Sequence, residues 1–412
     1  MEPNNFLEGV FHSASTISSR EKDFHTAYLT TFSNQKGQNV RIEHYFQNIN
    51  TMPAKQLAKS GLSTPPDTYL YTLARTGSSY ATIGSDDSLR IFSVPNLNLT
   101  RTYASAHKGI SCLITATDGT NLFTAGRDGV IRLWDPRNPS PKPILEIREP
   151  KGAGFSALAC AGDFIAAGTE STKEGLGDVS VLVYDLRNPG APVRSFVESH
   201  TDSITQLQWH PTQRNLLLSG STDGLVSVFD AEVAEEEDAL MQVLNPRSAV
   251  HCAGFLTEDQ VYALSTDEQF WVYGLEKTGT AEEEALPVKE FGDVRTELGC
   301  MYVIDLVKEA FMADPVFAYG HNDKQTLEIT QLKGPSWEFG ETIELPGAHG
   351  EEVVRDLKFV DASNVLSCGE DGLVKLWAIV EGEAADTGKA AGSVSKKAKR
   401  KGKKEGERFA PY

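Results

Sequence analysis

The chain has 412 residues, with 57 Asp or Glu against 39 Lys or Arg, and a formal net charge of −18. No run of 18 apolar residues occurs and no basic segment followed by an apolar one opens the chain, so neither a membrane span nor a secretory signal is expected, and the protein is expected to be soluble and intracellular. Five cysteines (Cys112, Cys160, Cys252, Cys300 and Cys368) stand apart without a C-x-x-C pair, which argues for buried free thiols and against a disulfide framework or a zinc site.

Residues 1–51 are polar and mixed in charge, and a disordered N-terminal extension is expected there; Met52 offers a second plausible start. Pro65 and Pro66 separate the segment 55–62 from TYLYTLAR, whose apolar and aromatic content predicts a β-strand. From this point an aspartate recurs six residues before a bulky apolar residue that ends a β-patterned run. The pairs are Asp86 and Phe92, Asp128 and Trp134, Asp178 and Tyr184, Asp223 and Phe229, Asp267 and Tyr273, Asp323 and Ile329, and Asp371 and Trp377.

Successive aspartates lie 42, 50, 45, 44, 56 and 48 residues apart, the length of a four-stranded propeller blade with occasional insertions. Radial repetition makes one closed fold where length alone would predict two or three domains. The copies GRDGVIRLWD (126–135), GSTDGLVSVFD (220–230) and GEDGLVKLW (369–377) resemble the WD-repeat signature. The expected fold is therefore all-β, a seven-bladed WD-repeat β-propeller over residues 52–380. Three strands are predicted for the last repeat before the chain turns into loop composition. Its missing fourth strand is expected from residues 55–62, which would cover an otherwise open sheet edge.

Two insertions stand out, EGLGD in the third repeat and the stretch between Tyr273 and Asp323 in the fifth, and both are expected to lie on propeller faces or rims. A third acidic run, Glu235 to Asp238, follows the fourth repeat. The Gly of each Asp-Gly pair at 128, 223 and 371 is predicted to supply a positive φ in a strand-joining turn.

Three repeats bring together a histidine, a hydroxyl residue and an aspartate, the residue types of a hydrolase triad. The sets are His107, Thr124, Asp128 and Trp134; His200, Ser219, Asp223 and Phe229; and His349, Ser367, Asp371 and Trp377. Catalysis needs one such cluster, so three periodic copies predict a structural role. They look like the WD-repeat tetrad, in which aspartate accepts from histidine, histidine from the hydroxyl and the hydroxyl from the indole N–H. Phe229 has no N–H, so one link is missing in the fourth repeat. Thr82 occupies the hydroxyl position before Asp86. The remaining histidines show no metal-ligand spacing and no phosphate-binding Gly-rich loop occurs, so no enzyme activity, metal or cofactor is expected.

The C-terminal segment, residues 381–412, is expected to be disordered and basic. Lys396, Lys397, Lys399, Arg400, Lys401, Lys403 and Lys404 form a dense patch that predicts a nuclear localisation signal and at most a tail-borne nucleic-acid contact. GERFAPY, the last seven residues, carries the apolar anchors Phe409, Pro411 and Tyr412. Residues 134–137 and 184–187 read W-D-P-R and Y-D-L-R. They resemble the W-D-x-R element by which WD-repeat substrate receptors bind the damage-specific DNA-binding adaptor of cullin-RING ubiquitin ligases, which would place Arg137 and Arg187 at that contact.

The stretch 198–240 is similar to the WD repeat-containing protein 89 family, with support from AAGTE (166–170), VYDLR (183–187), STDEQFWVYGL (265–275) and GDVRTE (292–297). That resemblance implies a non-catalytic propeller. The expected function is a nuclear or nucleolar interaction scaffold, with the cytoplasm as the alternative location. An acidic body and a basic tail point to a chaperone or assembly factor for basic clients such as ribosomal proteins or a ribonucleoprotein assembly. The alternative is a substrate receptor of a cullin-RING ubiquitin ligase.

Overall fold

The computed structural model describes residues 27–33, 39–45, 51–172, 177–276 and 285–379. Seven antiparallel sheets succeed one another along the chain as the blades of a β-propeller. Their inner strands are Leu70–Thr76, Ile110–Thr115, Phe155–Ala161, Ile204–Trp209, Val250–Thr257, Tyr302–Val307 and Val354–Asp361. Each blade then runs outward through a second and a third strand to a fourth at the rim.

Burial follows from this stacking. The second strand Leu216–Ser221 is buried at every position, because both faces of its blade pack on a neighbour. Outer strands such as Asn98–Tyr103 alternate exposed and sheltered positions. The apolar side chains gather into seven clusters, each spanning one blade-to-blade interface, in place of one central core. Trp377, 1% exposed, sits in the interface of blades 6 and 7. Gly320 shows how tight such packing is: a Cβ there would overlap the Tyr302 ring, whose hydroxyl in turn accepts from the Val354 N–H of blade 7 at 2.9 Å.

Lys55–Ser60 is the outer strand of blade 7, antiparallel to Val374–Ala378, with Lys55 opposite Ala378 and Ser60 opposite Val374. The N-terminal closure expected from the missing fourth strand is therefore present. Thr51–Pro53, just before it, pairs in parallel with the outer strand of blade 6, Glu338–Pro346, and makes that sheet five-stranded. The Ala54 N–H continues the pairing to the Glu344 carbonyl at 2.7 Å.

Several local expectations are modified. Within residues 1–51, where disorder is expected, Ala27–Ser33 and Asn39–Tyr45 form an antiparallel hairpin. The fifth-repeat insertion is partly framework: Pro287–Asp293 is the outer strand of blade 5, and Val294–Leu298 is a one-turn helix capped by the Asp293 side chain. The acidic run after blade 4 contains the short helix Glu236–Ala239, and Glu236 accepts from the Val197, Glu198 and Ser199 N–H groups at 2.6–2.9 Å. Residues 173–176 and 277–284 of the two insertions, and the C-terminal calls on 381–412, lie outside the described residues.

Candidate functional site

The three histidine sets come together as buried networks. His107 Nδ1 donates to Asp128 at 2.9 Å, its Nε2 accepts from Thr124 Oγ1 at 2.7 Å, and the Trp134 indole donates to that same hydroxyl at 2.8 Å. In blade 7 the distances are 2.6 Å from His349 to Asp371, 2.8 Å to Ser367 and 3.0 Å from Trp377 to Ser367. Blade 4 keeps His200 on Asp223 at 3.0 Å and on Ser219 at 2.7 Å, and Phe229 ends the chain of bonds there. Phe229 instead stacks on Phe196, with ring centroids 4.4 Å apart.

This connectivity matches a hydrolase triad atom for atom, and accessibility decides between the two roles. Thr124, Ser219 and Ser367 are each 0% exposed, so no substrate carbonyl can reach the hydroxyl. Burial lowers the pKa of His107 and His349, which keeps them neutral with Nε2 free to accept. Burial works against ionised Asp128, Asp223 and Asp371, yet their hydrogen-bond donors hold all three below the usual carboxylate range. In blade 2 those donors are Arg132 and His107.

The other four blades lack the histidine–hydroxyl–aspartate set. Asp86 is gripped by Arg90, with 3.0 Å between Nη1 and Oδ1, and Thr82 makes no bond to it. Asp178 accepts from Ser171 at 2.8 Å and from Thr172 at 2.6 Å. Asp267 accepts from Ser248 at 2.7 Å, and blade 6 carries a Tyr319, Thr330 and Thr342 hydroxyl chain.

Two faces follow from the topology. The turns between second and third strands share a face with the tetrad histidines, and every one of the seven carries a carboxylate: Asp87, Asp128, Glu170, Asp223, Asp267, Asp323 and Glu370. Two cations on this face are compensated, Arg127 by Glu170 at 3.2 Å and Arg355 by Glu370. Arg137 and Arg187 follow third strands and so lie on the opposite face. Each forks its own aspartate: Arg137 Nε is 2.8 Å from Asp135, and Arg187 Nη2 is 2.6 Å from Asp185. Both side chains are about two-thirds exposed, at 67% and 66%. Arg187 also lies over the Phe164 ring, 5.9 Å from its centroid.

A feature that the spacing argument does not reach lies in the central channel. Asp305, Asp356, Lys308 and Lys358 line a polar cavity of about 170 Å³ where inner strands converge. Both carboxyls sit deep in the molecule with partial access to the channel; burial raises Asp305 and pushes Asp356 up to about 7. Four cysteines are buried and Cys160 is partly so, all as free thiols. Among the described residues no cluster of His, Cys, Asp or Glu has the arrangement of a metal centre.

The WD domain, G-beta repeat model matches residues 97–135, 190–230 and 341–378, and these end in the three blades that hold the histidine networks. An uncharacterized WD repeat-containing protein of Schizosaccharomyces pombe is 30% identical over 303 residues, covering 71% of this chain and 86% of that protein. The chain belongs to the WD-repeat family. A second uncharacterized WD repeat-containing protein, from Saccharomyces cerevisiae, is 38% identical over 57% of this chain, and the match spans 58% of that protein's length. The WD repeat-containing protein 89 homolog of Dictyostelium discoideum is 28% identical over 64% of this chain and 69% of its own. Among solved structures, a chain of the Mitotic Checkpoint Complex superposes with a TM-score of 0.60 at 14% identity, over 81% of this WD-repeat chain and 94% of that one. That likeness concerns the fold alone.

Proposed function

We propose that this WD-repeat protein is a non-catalytic scaffold of the nucleus or nucleolus that chaperones or assembles basic clients such as ribosomal proteins. WD-repeat propellers generally mediate protein–protein interactions, and the coarse reading rests on that membership. The observation that carries the finer reading is the carboxylate in all seven turns of the histidine-bearing face. With a net charge of −18, an acidic body attracts a basic chain from a distance and disfavours nucleic acid. The Lys/Arg patch 396–404 supports the nuclear location, because a basic cluster of that density is what an import receptor binds. Binding of a lysine- and arginine-rich ribosomal-protein peptide, measured from 50 to 500 mM salt, tests the reading. Affinity should fall steeply with salt, and salt-independent or absent binding would sink it.

A second reading, a substrate receptor of a cullin-RING ubiquitin ligase, draws on the exposed Arg137 and Arg187 guanidiniums. Their own aspartates already occupy them, so an adaptor would have to displace bonds of 2.6–2.8 Å. Purification of the adaptor with the full chain favours this reading, and its absence removes it.

A further inference from the structure

On the face opposite the histidines, where blade 7 meets blade 1, lies a groove of about 360 Å³. Its walls come from far apart in the chain. Val94 and Pro95 belong to a turn of blade 1, Val360 to the end of blade 7's inner strand, and Leu57 to the closing strand. The floor is apolar, and Leu57 remains 50% exposed although it lines the groove. Large apolar side chains half in water beside a preformed concavity mark a docking surface.

The polar groups at the groove are unequal. Both Asp361 oxygens are occupied, by the Ser363 N–H at 2.8 Å and by the Asn364 amide at 3.0 and 3.1 Å. Arg75 donates only Nε, to the Gly77 carbonyl at 3.3 Å, and no carboxylate among the described residues lies within ion-pair distance of its guanidinium. Tyr80 is 3% exposed, and its hydroxyl has no hydrogen-bond partner among the described residues. The groove thus offers spare donors beside an apolar floor, and both oxygens of its one carboxylate, Asp361, already accept hydrogen bonds.

We propose that this groove docks a peptide segment of another protein in which a bulky apolar side chain is flanked by a carboxylate. The apolar side chain would cover Leu57, Val94, Pro95 and Val360, and the carboxylate would accept from the Arg75 guanidinium and the Tyr80 hydroxyl. Such a partner is acidic where the client of the other face is basic, so the two surfaces recognise opposite chemistries and neither proposal depends on the other.

The test is fluorescence polarisation with the full chain and a fluorescein-labelled peptide, Gly-Ser-Asp-Leu-Phe-Asp-Gly, alongside the same peptide with both aspartates replaced by lysine. The acidic peptide should bind saturably and at least about tenfold more tightly than the lysine form. Arg75→Ala should weaken it by about tenfold, as expected for one charge-assisted bond. Leu57→Asp should abolish it. Leu57 is half-exposed on an outer strand, so that variant should melt with the parent. No saturable binding up to millimolar concentration, equal binding of the lysine form, or undiminished binding by a folded Leu57→Asp variant would each overturn the proposal.

Discussion

The Asp356 carboxylate of blade 7 accepts a hydrogen bond of 2.6 Å from the Leu73 N–H of blade 1, joining inner strands 283 positions apart. The same side chain accepts from the Leu357 N–H at 2.6 Å. One residue thereby ties the last blade to the first at the channel wall.

That tie should depend on pH. Burial raises folded Asp356 from 3.8 to about 7, so the folded protein holds this proton more tightly than the unfolded chain does. Its contribution is greatest below about pH 4 and declines as pH rises to about 7. The stability advantage of the parent over Asp356→Ala in urea unfolding should be larger at pH 5 than at pH 8. An advantage that is constant or grows with pH would contradict the assignment.

Closure by the N-terminal segment predicts unequal truncations. Removing residues 1–50 leaves Thr51–Pro53 and Lys55–Ser60 in place, and the melting temperature should hold. Removing residues 1–64 strips the outer strand from blade 7 and exposes its edge, and melting should fall by ~5 °C or more. Coincident thermal melts would rule the closure unimportant.

The tetrads should act on stability alone. His349→Ala or Asp371→Ala leaves buried groups unpaired and should cost about 1–3 kcal/mol in denaturant unfolding. Because burial lowers the His107 and His349 pKa from 6.5, the unfolded chain takes up protons more readily, and this stabilisation is lost as pH falls below 6.5. A variant that melts like the parent would show the network to be dispensable.

Arg137→Ala gives up an exposed pair with Asp135 and should leave the melting temperature unchanged. If the ligase reading holds, the same substitution should remove the adaptor from a co-precipitate that the parent forms. Adaptor retained by the variant would detach Arg137 from that role.

Residues 393–412, fused to a cytoplasmic fluorescent protein, should concentrate it in the nucleus. A diffuse distribution would show the Lys/Arg patch to be insufficient for import.

Blade number and tetrad membership were legible because both are local chemistry on a fixed period: an Asp-Gly turn needs glycine for its φ of 65° at Gly129, and the hydroxyl always precedes its aspartate by four. The closing strand was legible from what the last repeat lacked. Less could be foreseen where partners are remote. Thr51–Pro53 reveals nothing of its parallel pairing, because backbone bonding carries no side-chain signature. Asp305 and Asp356 sit in VIDLV and VRDLKF, which pattern as ordinary half-buried strands, and only the convergence of blades encloses them. The groove at the blade 7 and blade 1 seam joins Pro95 to Val360, and no window of sequence contains both.

The pairing of Ser60 with Val374 also sets an order of events during synthesis. The closing strand is made early, yet its partner leaves the ribosome some 314 residues later, roughly 15–60 s at about 5–20 residues per second. For that interval the first seam has no second side. Blades 1 to 6 can stack as they emerge, while Lys55–Ser60 waits with an unsatisfied backbone that any passing strand edge could capture. The last step in making this propeller is therefore a ring closure, which joins segments some 314 residues apart in the chain.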